Sequence, residues 1–296
     1  MLKALFDGAR LWFWRIAASG LLPARLVLRD LPPESQRAAR RGPLSIEIVS
    51  HCWNYSHLLV YQLSSLALAP PADARLTMTV FYAREDLATR DLLDFIGAQE
   101  IPGVSWNWQE LPPEYLFRRS IGRNLAALQT QADWVWFTDC DLVFAPGCLD
   151  HLVQALQDRR DALVYPRVER VTTLLAAEDP LLKVDPAWTL RSIDASRFEE
   201  RAISRATGPL QITHGDVARA VGYCRDLALF QEPVPRFAKC HEDRVFRWLL
   251  GTQGVPVDVP GVYRIRHVDK GRYRAGIEAR LRGGLRQARE RRISGG

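Results

Sequence analysis

Two carboxylates one residue apart, Asp139 and Asp141, close an otherwise apolar run, WVWFTDCDLVF, at residues 134–144. In an extended chain residues i and i+2 point the same way, so the pair faces one small volume while Cys140 turns into the core. Carboxylates held that close repel unless something positive lies between them. A hard divalent cation meets that need. Mg2+ or Mn2+ takes one or two protein carboxylates and completes its shell with water and phosphate oxygens. The pair therefore predicts a metal and, through it, a diphosphate ligand; the plainer reading is two solvated acids at a turn.

Two other groups have the types and spacing for chemistry. Glu242 and Asp243 open a helical pattern whose apolar positions are Val245, Phe246, Leu249 and Leu250. The helix dipole favours an ionised carboxylate there, which suits a proton acceptor, although acids at a helix start are also ordinary caps. Arg119 and Arg123 are four apart and share a helix face, with Asn124 adjoining. Turned toward a sheet edge, their guanidinium groups grip phosphate or fix Asp139; turned outward, they form a solvated stripe.

Strand and helix patterns alternate around these residues. Residues 44–50, 75–83, 104–108 and 134–138 read as strands. Helical spacing follows each of them, at Leu58, Leu59, Leu63 and Leu66, at Leu92, Leu93 and Ile96, at Phe117, Ile121, Leu125 and Leu128, and at Leu149, Leu152, Val153 and Leu156. The alternation implies βαβ units and a mostly parallel sheet, and such sheets bind ligands beyond the carboxyl ends of their strands. Asp139 and Asp141 fall at one such end. Later, 162–168 and 208–213 read as strands, 176–187 and 231–240 as loops, 188–206 as at least partly helical, and 255–267 as ending in a strand.

The chain has 296 residues, 47% of them apolar and 25% charged, enough for a sizeable core. Five cysteines without a C-x-x-C pair suggest neither a disulfide framework nor a zinc site, and fit reduced thiols in a cytoplasm. The net charge is +6, yet residues 270–296 hold nine Lys/Arg against Glu278 and Glu290, so the tail alone carries +7. Such a tail meets phosphate-rich surfaces such as anionic lipid, or is a solvated terminal helix. The first residues, MLKALFDGARLWFWRIAASGLL, are too interrupted by charge to span a bilayer or to form a secretory signal. Leu2, Leu5, Phe6, Ala9, Trp12, Phe13 and Ile16 share one helical face, with Trp14 near its boundary. That face lies on a membrane or docks on the protein itself. The expected organisation is an amphipathic helix and linker (1–43), a catalytic domain (44–268, halves meeting near 145) and a basic tail (269–296).

In order and spacing the chain resembles family 2 and related inverting glycosyltransferases over about residues 44–268. SHCWNYSHLLVYQLSSL looks like their first strand and helix. RRSIGRNLAALQTQADWVWFTDCDLVF is similar to their R-x-x-x-R-N helix followed by D-x-D. GPLQITHGDVARAVGY resembles the acceptor-side strand and helix, HEDRVFRWLL the E-D motif, and RIRH a late metal-site histidine. The first loop departs from the family's pattern, with His51-Cys52-Trp53-Asn54-Tyr55 where proline and Tyr-Asn are usual.

The resemblance implies a GT-A, Rossmann-like fold: a mostly parallel central sheet flanked by helices, with helical extensions at both ends. It implies transfer of a sugar from a nucleoside-diphosphate sugar to a hydroxyl acceptor, a glycan or lipid-linked glycan, from the cytoplasmic side with peripheral membrane contact. Asp141, Asp139 and His267 would hold Mn2+ or Mg2+. Asn54, Asp86, Arg119, Arg123, Asn124 and Asp139 would bind nucleotide. Asp243, with Glu242 beside it, would supply the base, and Trp188, His214 and His241 the acceptor rim, with core packing the plainer reading for Trp188.

Other chemistries compete. DCDLV also matches the D-x-D-x-[TV] of haloacid-dehalogenase-like phosphatases, which place it after the first strand rather than the fourth. A nucleotidyltransferase would need a glycine-rich basic loop after the first strand, which SHCWNYSH lacks. A nucleic-acid-binding protein would use the arginine-rich tail but leaves the acidic pair unexplained, so no nucleic-acid partner is expected.

Overall fold

The computed structural model describes residues 2–27, 31–183, 187–237 and 240–267. The expected basic tail, 269–296, lies outside these residues. The chain opens with α1 (Leu2–Ile16) and alternates through β1 (Leu44–His51), α2 (Ser56–Leu68), β2 (Ala74–Tyr82), α3 (Leu87–Gly97) and β3 (Val104–Glu110). A short α4 (Pro113–Leu116) leads into α5 (Arg119–Gln129), then β4 (Trp134–Phe137), β5 (Leu142–Phe144) and α6 (Cys148–Leu156). The second half contains β6 (Leu163–Pro166), β7 (Val168–Thr172), β8 (Phe198–Ala202), β9 (Gln211–His214), α7 (Gly215–Val221), α8 (Ala228–Gln231), α9 (Glu242–Leu249), β10 (Val255–Val257) and β11 (Val262–Arg264).

Seven strands form the central sheet in the order β10-β6-β9-β4-β1-β2-β3, parallel throughout except for β9. This is the mixed α/β fold expected from the alternation. The period-2 pattern sorts side chains to its two faces. Trp134 and Trp136 join Ile46, Ile48, Leu76 and Met78 under α2, α3 and α6, while Val135 and Phe137 pack with Val49 and Phe81 under α5, α7 and α9. After β3 the chain crosses back to place β4 on the far side of β1, so the strand order reverses between them. Open α/β sheets bind ligands at this switch point.

A second sheet, β5-β11-β7-β8, packs beside the first. Helix α2 runs between the two and is buried nearly all round, which accounts for its apolar and small residues on every face. Three strands of the small sheet do not stand out in the sequence: β5 has only three residues, and β7 and β8 are short and mixed in polarity. The helix expected within 188–206 is absent: that stretch holds one short turn, Ala195–Arg197, and β8. Here tertiary pairing with β7 overrides local pattern.

Residues 31–43, expected as a linker, are strapped to the body. Arg37 donates to the carbonyls of Pro32 and Arg160, Ala38 N–H to Asp216 Oδ2, and Arg40 lies 2.7 Å from Asp133. Helix α1 docks as well, through Trp14 against Trp248, with ring centroids 6.0 Å apart.

Candidate functional site

The parallel register of β1 and β4 pairs Val49 with Phe137, and Thr138 N–H donates to the Val49 carbonyl, so Asp139 emerges level with His51. The acidic pair is not extended, as the spacing suggested; it occupies a reverse turn closed by Leu142 N–H on the Asp139 carbonyl at 3.2 Å. The reason is topological. The turn carries the chain out of the seven-stranded sheet at β4 and into the four-stranded sheet at β5. Gln62 of α2 holds it by donating to the Asp139 carbonyl at 3.0 Å, and Ile265 N–H donates to the Asp141 carbonyl at 3.0 Å. The second contact brings the chain after β11 alongside, which delivers His267.

Asp139, Asp141 and His267 line one cleft together with Arg119, His51, Cys52, Trp53, Tyr55, Phe117, Cys140 and Phe237. It encloses about 740 Å³, counting its open mouth. A roomier recess of about 1090 Å³ at the other end of β1–β3, lined by Glu47, Thr79 and Asn107, contains none of the candidate site residues.

Both arginines turn toward the acids. Arg119 bridges Asp139 Oδ1 and Glu242 Oε1, the latter at 3.2 Å. Arg123 is fully buried and reaches Asp139 Oδ1 at 3.4 Å, the Thr138 carbonyl at 3.2 Å and the Tyr223 hydroxyl at 2.9 Å. Of the readings open from sequence, fixing Asp139 is the one the geometry displays. A buried relay continues from there: Tyr223 O–H donates to Gln211 Oε1 at 2.7 Å, and Gln211 Nε2 donates to the Asp243 carbonyl at 3.1 Å. The D-x-D turn and the head of α9 are thus joined twice, directly through Arg119 and internally through Arg123, Tyr223 and Gln211. Tyr223 and Gln211 carry no sequence signal of their own; only the fold brings them between the two motifs.

Burial pushes the Glu242 carboxyl up, but Arg119 and Arg123 more than offset it and hold it below the usual range. Burial likewise opposes the charge on Arg119, and Asp139 and Glu242 outweigh that and raise it well above normal. Cys240 donates to Glu242 Oε2 at 2.6 Å; burial and that carboxylate push the thiol up to about 12. All five cysteines are buried and unbridged.

His51 stacks on Phe81 at 5.0 Å and lies against Gly122, where an added methyl would meet its Nε2 at 2.3 Å. Neither ring nitrogen has a hydrogen-bond partner, and burial, with Arg123 and Arg119 nearby, lowers the imidazole well below its ordinary value.

Several expected site residues hold the scaffold. Asp86 caps α3 through Thr89 N–H, and its Oδ2 accepts from Asn54 N–H at 2.5 Å, which pins the loop after β1 with Asn54 at φ 58°. Asn124 accepts from Tyr223 N–H at 2.9 Å and faces Gly222, so it clasps the turn after α7 rather than reaching the cleft. His214 is at the opposite edge of the sheet. Because β9 runs antiparallel to β4, Gln211 is level with Phe137 and His214 with Trp134; its Nδ1 caps α7 and its Nε2 meets the Ala38 carbonyl. Trp188 packs on the core, and His241, at φ 57°, starts α9 through its carbonyl. Neither lines the cleft. Asp243 lies one residue past Glu242, its Oδ2 3.4 Å from Arg247, and is also outside the lining.

Among the described residues no group of three or more His, Cys, Asp and Glu side chains has metal-holding spacing. The cleft still fits a hard divalent ion. Two guanidinium groups compensate Asp139 through its Oδ1, and Asp141 and His267 face the same cleft as further protein donors. Mg2+ and Mn2+ take few protein ligands where phosphate oxygens complete the shell.

A glycosyl transferase family 2 sequence model matches residues 113–193, the stretch that includes both arginines and both acids of the turn. Among curated proteins no sequence matches the chain significantly. Similar solved structures include S. aureus TarS 1-349 in complex with UDP-GlcNAc, at 12% identity and TM-score 0.46 over 79% of this chain and 62% of that one. The same protein in complex with UDP gives 13% identity and TM-score 0.46 over 75% and 60%. The chain therefore spans about three fifths of the length of these matched structures.

Proposed function

We propose that the protein is a metal-dependent, inverting glycosyltransferase of GT-A type that moves a sugar from a nucleoside-diphosphate donor to a hydroxyl acceptor. The acceptor class is a cell-envelope or lipid-linked glycan, reached from the cytoplasmic face. One observation carries the reading: Arg119 ties Asp139, in the turn at the sheet's switch point, to Glu242 at the head of α9. The head of α9 is thereby tied, through Arg119, to the cleft that Asp139 and Asp141 line. The family match over residues 113–193 supports it.

Asp141 and His267 would hold Mn2+ or Mg2+, which would supply Lewis acidity toward a diphosphate leaving group. Arg123 and Arg119 fix Asp139 beside that position. The loop His51–Tyr55, pinned by Asp86, offers Trp53 and Tyr55 to the nucleotide, with Phe117 packed edge-on to Trp53 at 5.2 Å. Asp243 takes the proton from the attacking hydroxyl. The phosphatase reading fares worse, since its nucleophile would be Asp139, whose Oδ1 is engaged by two guanidinium groups.

Titration calorimetry with a panel of nucleoside-diphosphate sugars, with and without Mn2+, tests this. At least one donor binds, its affinity falls sharply without metal, and Asp141→Asn abolishes the metal effect. A protein that binds no donor, or binds one equally well with and without metal in both forms, overturns it.

A further inference from the structure

Five of the large apolar side chains most exposed among the described residues fall within fifteen positions of one another: Trp12, Phe13, Leu21, Leu22 and Leu26. They belong to α1 and the turns after it. This segment is also firmly attached. Trp14 packs on Trp248, Trp248 Nε1 donates to the Leu22 carbonyl at 2.8 Å, Arg244 Nε to the Ala18 carbonyl at 3.4 Å, and Arg10 pairs with Glu232 at 3.4 Å. The side chains are therefore divided against expectation. Trp14, expected near the boundary of the apolar face, docks on α9; Trp12 and Phe13, expected on that face, face solvent at 65% and 50% exposure. Gly20, at φ 99°, breaks the helix and turns the chain so that Leu21 is left outside as well.

Scattered exposed leucines need no explanation, but a cluster on one anchored element does. The cluster adjoins a mostly apolar groove of about 880 Å³, counting its open mouth, lined by Arg10, Phe13, Trp14, Asp226 and Leu227–Leu229. Charge chooses the occupant. Residues 1–26 hold four basic side chains and one acidic, and residues 270–296 nine and two, so within a chain of net charge +6 everything between is net acidic. A second copy would bring like charge to like charge. An anionic lipid surface attracts both segments and accepts tryptophan and phenylalanine at its boundary. None of the described helices is long and apolar enough to cross a membrane, so contact is in the interface plane.

We infer that residues 9–26 form a fixed interfacial foot that seats the protein on an anionic phospholipid surface through Trp12, Phe13, Leu21 and Leu26. The foot is clamped to α9, whose first residue, Glu242, is coupled to the cleft through Arg119. Seating would hold the acceptor side of the cleft at a constant height above the lipid headgroups. The inference stands apart from the glycosyl-transfer reading, because lipid seating requires no chemistry.

Flotation with phosphatidylglycerol-containing vesicles and with phosphatidylcholine vesicles, on the full chain, tests it. Wild-type protein floats with the anionic vesicles, and Trp12→Glu/Phe13→Glu lowers the bound fraction by about tenfold or more. The same variant stays folded by circular dichroism and keeps its donor affinity by calorimetry, since neither side chain lines the cleft. A wild-type protein that stays at the bottom of the gradient overturns the foot, as does a variant that floats equally well. So does light scattering that shows a dimer in wild type and a monomer in the variant, which would assign the patch to self-association.

Discussion

Nη2 of Arg119 lies 3.2 Å from Oε1 of Glu242, linking α5, before the D-x-D turn, to the first residue of α9. With Asp139 on its other nitrogen, Arg119 is a fork with one carboxylate on each tine. Glu242 is almost entirely buried, so its charge depends on this partner.

Arg119→Ala leaves a buried carboxylate without its closest cation, and such losses destabilise by about 3 kcal/mol. The sign with pH follows from the direction of the shift. Glu242 is held below the usual carboxylate range, so its contribution is present near neutrality and is lost as pH falls through the depressed value. Denaturant unfolding at pH 7 should show the loss for Arg119→Ala. Adding Glu242→Gln should recover part of it, because the two residues share one interaction. Arg119→Lys keeps the charge but cannot span both carboxylates, so transfer falls more than stability does. Strict additivity of Arg119→Ala and Glu242→Gln would show that the fork is not a unit.

The central sheet and its helices were legible because βαβ units write a clean alternation of periods, and the D-x-D could be placed at a strand end for the same reason. The small sheet was not, since β5, β7 and β8 are short and get their identity from pairing with distant partners. Arg119, Arg123, Asp141 and His267 were picked out by type and order, and the structure gathers them around one turn. His214 misled because an antiparallel strand in a parallel sheet reverses which end faces the cleft, and nothing local to GPLQITH reveals its direction. Asp86 and Asn124 have the right types, but their hydrogen bonds go to backbone, which no spacing shows. Tyr223 and Gln211 were invisible for the converse reason: buried between motifs, they match no pattern.

His51 predicts a pH effect on stability. Burial and two neighbouring guanidinium groups, with Asp139 opposing them, lower its imidazole well below the ordinary value. The folded protein therefore stays neutral at His51 while the unfolded chain takes up a proton below about pH 6.5. Stability is fully present above that value and falls as pH drops, by roughly 1 kcal/mol per pH unit for one proton. Urea midpoints between pH 7.5 and 5.5 should fall for wild type, and the slope should flatten in His51→Asn. An unchanged slope would mean that other groups carry the acid sensitivity.

Under the proposed function Asp243 and Glu242 would divide the acceptor chemistry between them, and the geometry sets the expected division. Glu242 is enclosed by Arg119 and Cys240 and anchors Arg119, which lines the cleft, whereas Asp243 keeps about a third of its side chain exposed and pairs at 3.4 Å with Arg247. A base must reach its proton and release it, which favours the more exposed carboxylate. Asp243→Asn should therefore lower kcat by about a hundredfold or more while donor affinity stays near wild type. Glu242→Gln should instead weaken donor binding and stability together, because it acts through Arg119 on Asp139. If the two variants exchange these signatures, the proton goes to Glu242 and Asp243 is a helix cap. Steady-state kinetics on both, paired with calorimetry of the donor, separates the assignments, since a change of base moves kcat and a loosened fork moves binding.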